Sequence, residues 1–153
     1  MMYRRLAVAL LAGIMAAPAV ALDAEQAQKA TETRQSVLKV VGWNIGPLGA
    51  MARGLVPYDA ELVARNAQRI AWMASMIPDA FRADTRAHAV TTEALPVIWE
   101  NYARFEELAG NTQASAEKLA EIAAGGDEAA GKQAIGALIE DCRACHDDFR
   151  LKD

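Results

Sequence analysis

Five residues constrain this chain more than any others: Cys142-Arg143-Ala144-Cys145-His146. They end a stretch of helical apolar periodicity. On a helix Cys142 and His146, four apart, share a face, and Cys145 follows Cys142 by three. C-x-x-C-H is the attachment signature of a c-type haem. Each thiol can add across a porphyrin vinyl group to give a thioether, and the adjacent imidazole can reach the iron from the same side. Other readings compete. A zinc site wants four ligands, and His88 is the one histidine outside the motif. A thioredoxin-like pair wants a strand before its helix, and no strand pattern precedes this one. A disulfide between these two, the only cysteines of the chain, stays open and would leave a bundle that acts by interaction alone.

Residues 1–21 have the form of a secretory signal peptide. Arg4 and Arg5 supply the positive start, Leu6 to Ala17 the apolar stretch, and Ala19-Val20-Ala21 a small-residue cleavage site. The apolar run falls short of the about 20 residues a membrane span needs. The mature chain expected from this is residues 22–153, exported to the periplasm, where covalent haem attachment takes place, and not inserted in the membrane. It is one domain with enough chain for a single core. Removing Arg4 and Arg5 takes the formal charge from −4 to −6. An acidic chain argues against nucleic acid as a partner. No paired carboxylates, Ser-His arrangement or phosphate loop suggests hydrolytic or transfer chemistry, so the chain reads as a non-enzyme.

Asp23 is placed to cap a first helix. Its apolar stripe is Ala27, Ala30, Val37, Leu38, Val41, Ile45 and Leu48. Arg34 falls on that stripe and must either extend its head to water or meet an anion, since an isolated buried charge is costly. Gly42, Gly46, Pro47, Gly49 and Gly54 are expected to weaken or end this helix. Asp59 caps a second helix over about 60–77, with Leu62, Val63, Asn66, Ile70, Met73 and Ile77 inward and Pro78 closing it. A connection over 78–92 holds Phe81 and His88. A third helix starts near Pro96 and runs to about Ala124, with Gly110-Asn111 as a point of interruption. Gly125-Gly126-Asp127 stops it and caps a fourth helix over about 128–150. That helix turns Ala134, Leu138, Cys142, Cys145, His146 and Phe149 inward. Trp43, Trp72 and Trp99 read as packing residues, and Asp147 and Asp148 as a solvated face. With no β-alternating stretch, the chain is all-α, an antiparallel up-down four-helix bundle with covalently bound haem.

Three stretches carry a resemblance to the cytochrome c′ family: Arg34-Gln35-Ser36-Val37-Leu38, Pro57-Tyr58-Asp59-Ala60, and Cys142 to His146 with Asp147-Asp148-Phe149-Arg150 after it. The resemblance covers essentially the whole mature chain. It implies one haem c per chain, bonded to Cys142 and Cys145, with His146 as the axial iron ligand. It implies that Arg34 and Gln35 contact a haem propionate, which would be the anion Arg34 needs. It implies that Glu93, or Thr92 beside it, approaches the haem edge, and that Arg150 borders the proximal pocket. It also implies a homodimer through the first two helices if Trp43 or Trp72 is exposed there.

Leu38 then decides the expected chemistry. In related low-spin proteins a methionine at this position binds the iron, and leucine has no lone pair to donate. Met51 is about 20 Å further along an uninterrupted helix, and Met73 and Met76 sit in helix two, where core filling is the commoner use. The expectation is a five-coordinate, high-spin iron with an apolar sixth site that binds NO and other diatomic gases and cycles between Fe(II) and Fe(III). The family further implies that NO can release the histidine and reach the proximal side. The alternative is a periplasmic electron carrier with no gas-handling role, its redox partner unknown.

Overall fold

A computed structural model describes residues 22–152; the expected signal peptide, residues 1–21, lies outside them. Three of the four long helices begin where an aspartate can satisfy their free amides. Asp23 caps α1 (Ala24–Ala52) in a reciprocal box: it accepts from the Gln26 amide at 2.8 Å, and the Gln26 side chain accepts from the Asp23 amide at 3.0 Å. Asp59 caps α2 (Ala60–Phe81) through the Leu62 amide at 3.0 Å. Asp127 caps α5 (Glu128–Phe149) through the Ala130 amide at 3.0 Å. Between α2 and α5 lie a single turn, α3 (Val97–Glu100), and the long α4 (Tyr102–Ala124). Gly54 and Gly126, at φ +71° and +76°, make the two tight turns, before α2 and before α5.

Three expected boundaries move, each for a physical reason. α1 runs through Pro47 and the glycines to Ala52. Continuing past Pro47 seats Leu48 and Met51, both buried, at roughly 1.5–3 kcal/mol each, which offsets the about 3 kcal/mol a helical proline costs. The carbonyl that Pro47 leaves unpaired belongs to Trp43, an exposed residue. α2 likewise passes Pro78 to reach Phe81, which is buried among Ile77, Phe105 and Phe149. The third helix is broken near its start: Asn101, at φ −128° and ψ 50°, separates α3 from α4. Gly110-Asn111 does not interrupt α4. A Cβ built at Gly42 or Gly46 would meet nothing within 4 Å among the described residues.

Four long helices pack as an antiparallel bundle. α2 lies against α1 and α4, α4 against α5, and α1 touches α5 only sparsely. The core has two parts. One, toward the tight turns, joins Leu48, Val63, Ile70, Leu119, Ile135 and Leu138. The other, toward the long connection, is aromatic: the Phe105 ring packs tilted against Phe81 at 4.8 Å and meets Phe149 edge-on at 5.4 Å.

The turn before α2 is locked onto α5 by Tyr58, whose ring lies over Gly131. A Cβ built at Gly131 would fall 1.9 Å from the Tyr58 hydroxyl. That hydroxyl is buried and finds no partner among the described residues. Gly131→Ala should therefore lower the unfolding free energy by about 1–3 kcal/mol, the usual cost of overpacking. Tyr58→Phe should keep or raise stability, because it removes a buried group that forms no hydrogen bond. Urea unfolding followed by circular dichroism checks both.

Candidate haem site

The last helix carries the cysteines along the sparsely filled seam between α1 and α5. Cys142 is half-buried against the first core cluster and Cys145 against the second. The motif thus straddles the division of the core. Burial pushes both thiols up, Cys145 to about 11, with Cys142 and Asp148 adding to the effect there. His146 is exposed, a departure from its expected inward position. Ile135, not foreseen, fills the inner face of α5 instead. Partial desolvation lowers the imidazole pKa first, and the Arg150 charge lowers it further, against Asp147 and Glu93. The neutral imidazole is the form that can donate a lone pair to a metal.

The facing wall is α1. A Cβ on Gly49 would lie 3.8 Å from the Ile139 Cδ1, so the two helices come close at that level. About three turns earlier on the same face of α1 Leu38 is 41% exposed, outside the core in which its stripe had placed it. Val41 and Ile45 between them are partly buried. The two helices approach at the glycine, while the leucine is exposed. Half-buried thiols on one wall, partly covered aliphatic side chains on the other and an exposed imidazole suit a flat apolar group carrying a metal.

Arg34 is buried, with 2% exposure, and its acceptors belong to the protein. Nε donates to the Ala80 carbonyl at 3.0 Å, Nη1 to the Thr85 hydroxyl at 2.9 Å and Nη2 to the Ala83 carbonyl. The guanidinium also lies over the rings of Phe81 and Trp99, 5.1 and 5.0 Å from their centroids. Burial lowers its pKa, opposed by Asp84. These bonds cap the carboxyl end of α2, which has no basic residue in its last turn. Trp99 donates to the Phe81 carbonyl at 2.9 Å and Tyr102 to the Pro78 carbonyl. Of the five donors of a guanidinium, two remain for another acceptor. Sequence reasoning missed Thr85, Trp99 and Tyr102 as partners, and no local signal marks them, since the acceptors of Arg34 lie 46 to 51 residues away.

Two more expected site residues fasten the same connection. The Gln35 amide donates to the Thr91 carbonyl at 3.0 Å. Glu93 and Arg150, singled out separately, meet: Arg150 Nε and Nη2 lie 2.8 and 2.7 Å from Glu93 Oε2. Thr92 turns inward on its own segment, accepting from the Ala94 amide. His88 sits in the connection, away from the seam residues. Met51 is buried in the first cluster, Met73 is partly buried, and Met76 is 48% exposed rather than core-filling. Trp43 and Trp72 are 70% and 60% exposed, not packed as expected, whereas Trp99 packs on the aromatic cluster.

Comparison with known proteins agrees with this geometry. The family model described as Cytochrome C′ matches residues 29–150. A cytochrome c′ of Halomonas halodenitrificans is 37% identical over 129 residues, covering 82% of this chain and 98% of its own. The structure of cytochrome c prime from Shewanella frigidimarina superposes with a TM-score of 0.77 at 30% identity, over 84% of this chain and 98% of that one. A nitric oxide complex of a leucine-to-isoleucine variant of cytochrome c prime from Alcaligenes xylosoxidans superposes at 0.72 with 28% identity, over 82% and 97%.

Arg34→Met should cost about 2–4 kcal/mol, because it leaves buried acceptors unpaired at roughly 1–3 kcal/mol each. Gln35→Ala, which removes one outlying bond, should cost less than about 1 kcal/mol. Denaturant unfolding of the two variants measures the contrast.

Proposed function

The chain belongs to the cytochrome c′ family, and from that membership we propose that it is an exported haem protein with a five-coordinate, high-spin iron that binds NO. The cofactor of the family is haem c, and the C-x-x-C-H motif is the means of attaching it. When bound, haem c supplies an Fe(II)/Fe(III) couple and a coordination position for a diatomic gas. Cys142 and Cys145 would hold the porphyrin edge through two thioethers, by addition of their S–H groups across its vinyl groups. His146 donates its neutral imidazole to the iron. Arg34, with its two remaining donors, and Gln35 take a propionate at the rim, and Glu93 lies near the haem edge. Residues 1–21 act as the signal that sends the chain to the periplasm.

The observation that carries the gas-binding reading is Leu38. An exposed leucine stands there, so α1 would offer hydrocarbon, not a thioether or imidazole, to the other side of a bound haem. Leu38 would give a polar diatomic ligand no hydrogen bond and would crowd a ligand on its side, and NO would need no such help. That a relative was solved as a nitric oxide complex supports the same reading. A second copy of the chain is the proposed partner in solution. Val40, Trp43, Trp72 and Met76 are exposed on neighbouring faces of α1 and α2, with Arg69 reaching from α2 to 5.9 Å over the Trp43 ring. An apolar patch of this kind marks an association surface.

Purified ferrous protein should be high-spin by resonance Raman and should take up NO. Leu38→Met should convert it to a low-spin form. Because a thioether must then be displaced, NO affinity should drop by about tenfold for each 1.4 kcal/mol of that bond. A low-spin wild type would favour the electron-carrier reading instead. In sedimentation velocity the wild type should run as a dimer, and Trp43→Glu and Trp72→Glu should each shift it to monomer.

A further inference from the structure

Where α5 ends, the chain turns extended at Arg150 (φ −113°, ψ 139°) and pairs with the segment before α3. The Leu95 amide donates to the Phe149 carbonyl at 2.9 Å, and the Leu151 amide to the Glu93 carbonyl at 2.8 Å. Between these two bonds sits the Glu93–Arg150 ion pair. An exposed ion pair alone contributes little, partly because two long side chains must be ordered to make it. Here the backbone bridge pairs Arg150 with Ala94 and bonds Leu151 to the Glu93 carbonyl, so the two backbones are already held side by side. The other acidic groups at this end have their own cations: Asp147 pairs with Lys152 at 3.2 Å and Asp148 lies 3.8 Å from Arg104. Glu93 is thus the partner of Arg150, and it comes from a different element.

Arg150 stands one helical turn beyond His146, its amide bonded to the His146 carbonyl at 3.1 Å. We propose that Glu93 is a positioning residue for the haem site: it pins the Arg150 guanidinium and presents a compensated ion pair, not a bare cation, on the histidine side of the iron, and so holds the reduction potential down. The inference rests on the reading that His146 carries the iron. An electron added at the iron is stabilised by a nearby positive charge and destabilised by a negative one. Removing the Glu93 charge must then raise the potential, and removing the Arg150 charge must lower it.

The test is spectroelectrochemical titration of the haem-loaded protein at low ionic strength, where screening is weakest. Glu93→Gln should shift the midpoint potential upward and Arg150→Gln downward. The double variant should return close to wild type, because one neutral pair replaces another. Glu93→Asp keeps the charge and should stay nearer wild type than Glu93→Gln, which a purely structural role for the side chain would not produce. A Glu93→Gln potential at or below the wild-type value, or shifts of the same sign in both single variants, would overturn the proposal. Failure of the underlying reading looks different: the wild type would lack a haem absorption band, or His146→Ala would leave that band unchanged.

Discussion

A helix ends in carbonyls that need donors, and in this protein the end of α2 obtains them from three other elements. Arg34 of α1, Trp99 of α3 and Tyr102 of α4 converge on it. The rest of the connection depends on that convergence. Arg34 also grips Ala83 and Thr85, which sets the start of the segment, and Gln35 one residue on holds Thr91. Glu93 is thereby delivered to Arg150, and the backbone around it to Leu151. A single buried guanidinium on the first helix is linked, bond by bond, to the turn of the last helix that carries the imidazole. Removing one charge from such a network leaves several buried oxygens unpaired at once.

What could be read in the sequence was what depends on near neighbours. Asp23, Asp59 and Asp127 cap helices because an aspartate needs only the amides two or three residues on. The cysteine motif is legible because its chemistry is fixed by spacing along one helix. Four long helices with two tight turns imply an antiparallel bundle, and the family resemblance added which face holds the porphyrin. Reading failed where distant residues decide. Pro47 and Pro78 look like stops, but the apolar residues beyond them have a core to enter. The break at Asn101 has no marker in composition. Trp43 and Trp72 have the size of core residues, and only the bundle's shape leaves them outside. Arg34 was recognised as anomalous on its stripe, yet its acceptors are far away in the chain and two of the three are backbone, which no side-chain pattern advertises.

The divided core makes sense of the site. A continuous cluster would have closed α1 onto α5 along their length. The clusters instead fill the space around α2 and α4, and the outer helices meet sparsely, coming close at Gly49. Each cysteine rests on a different cluster, so a group bonded to both would bridge the two halves and cover aliphatic surface that is otherwise partly wet. Burial of that surface at about 25 cal/mol per Å² gives the cofactor a structural role beside its chemical one.

The two walls of the seam come from the first and last helices, with Leu38 and Cys142 roughly 100 residues apart, so closing that loop costs about 4 kcal/mol of chain entropy. The hairpin-like pairings of α1 with α2 and of α4 with α5 cost much less. The crevice is therefore the joint whose closure costs the chain the most entropy.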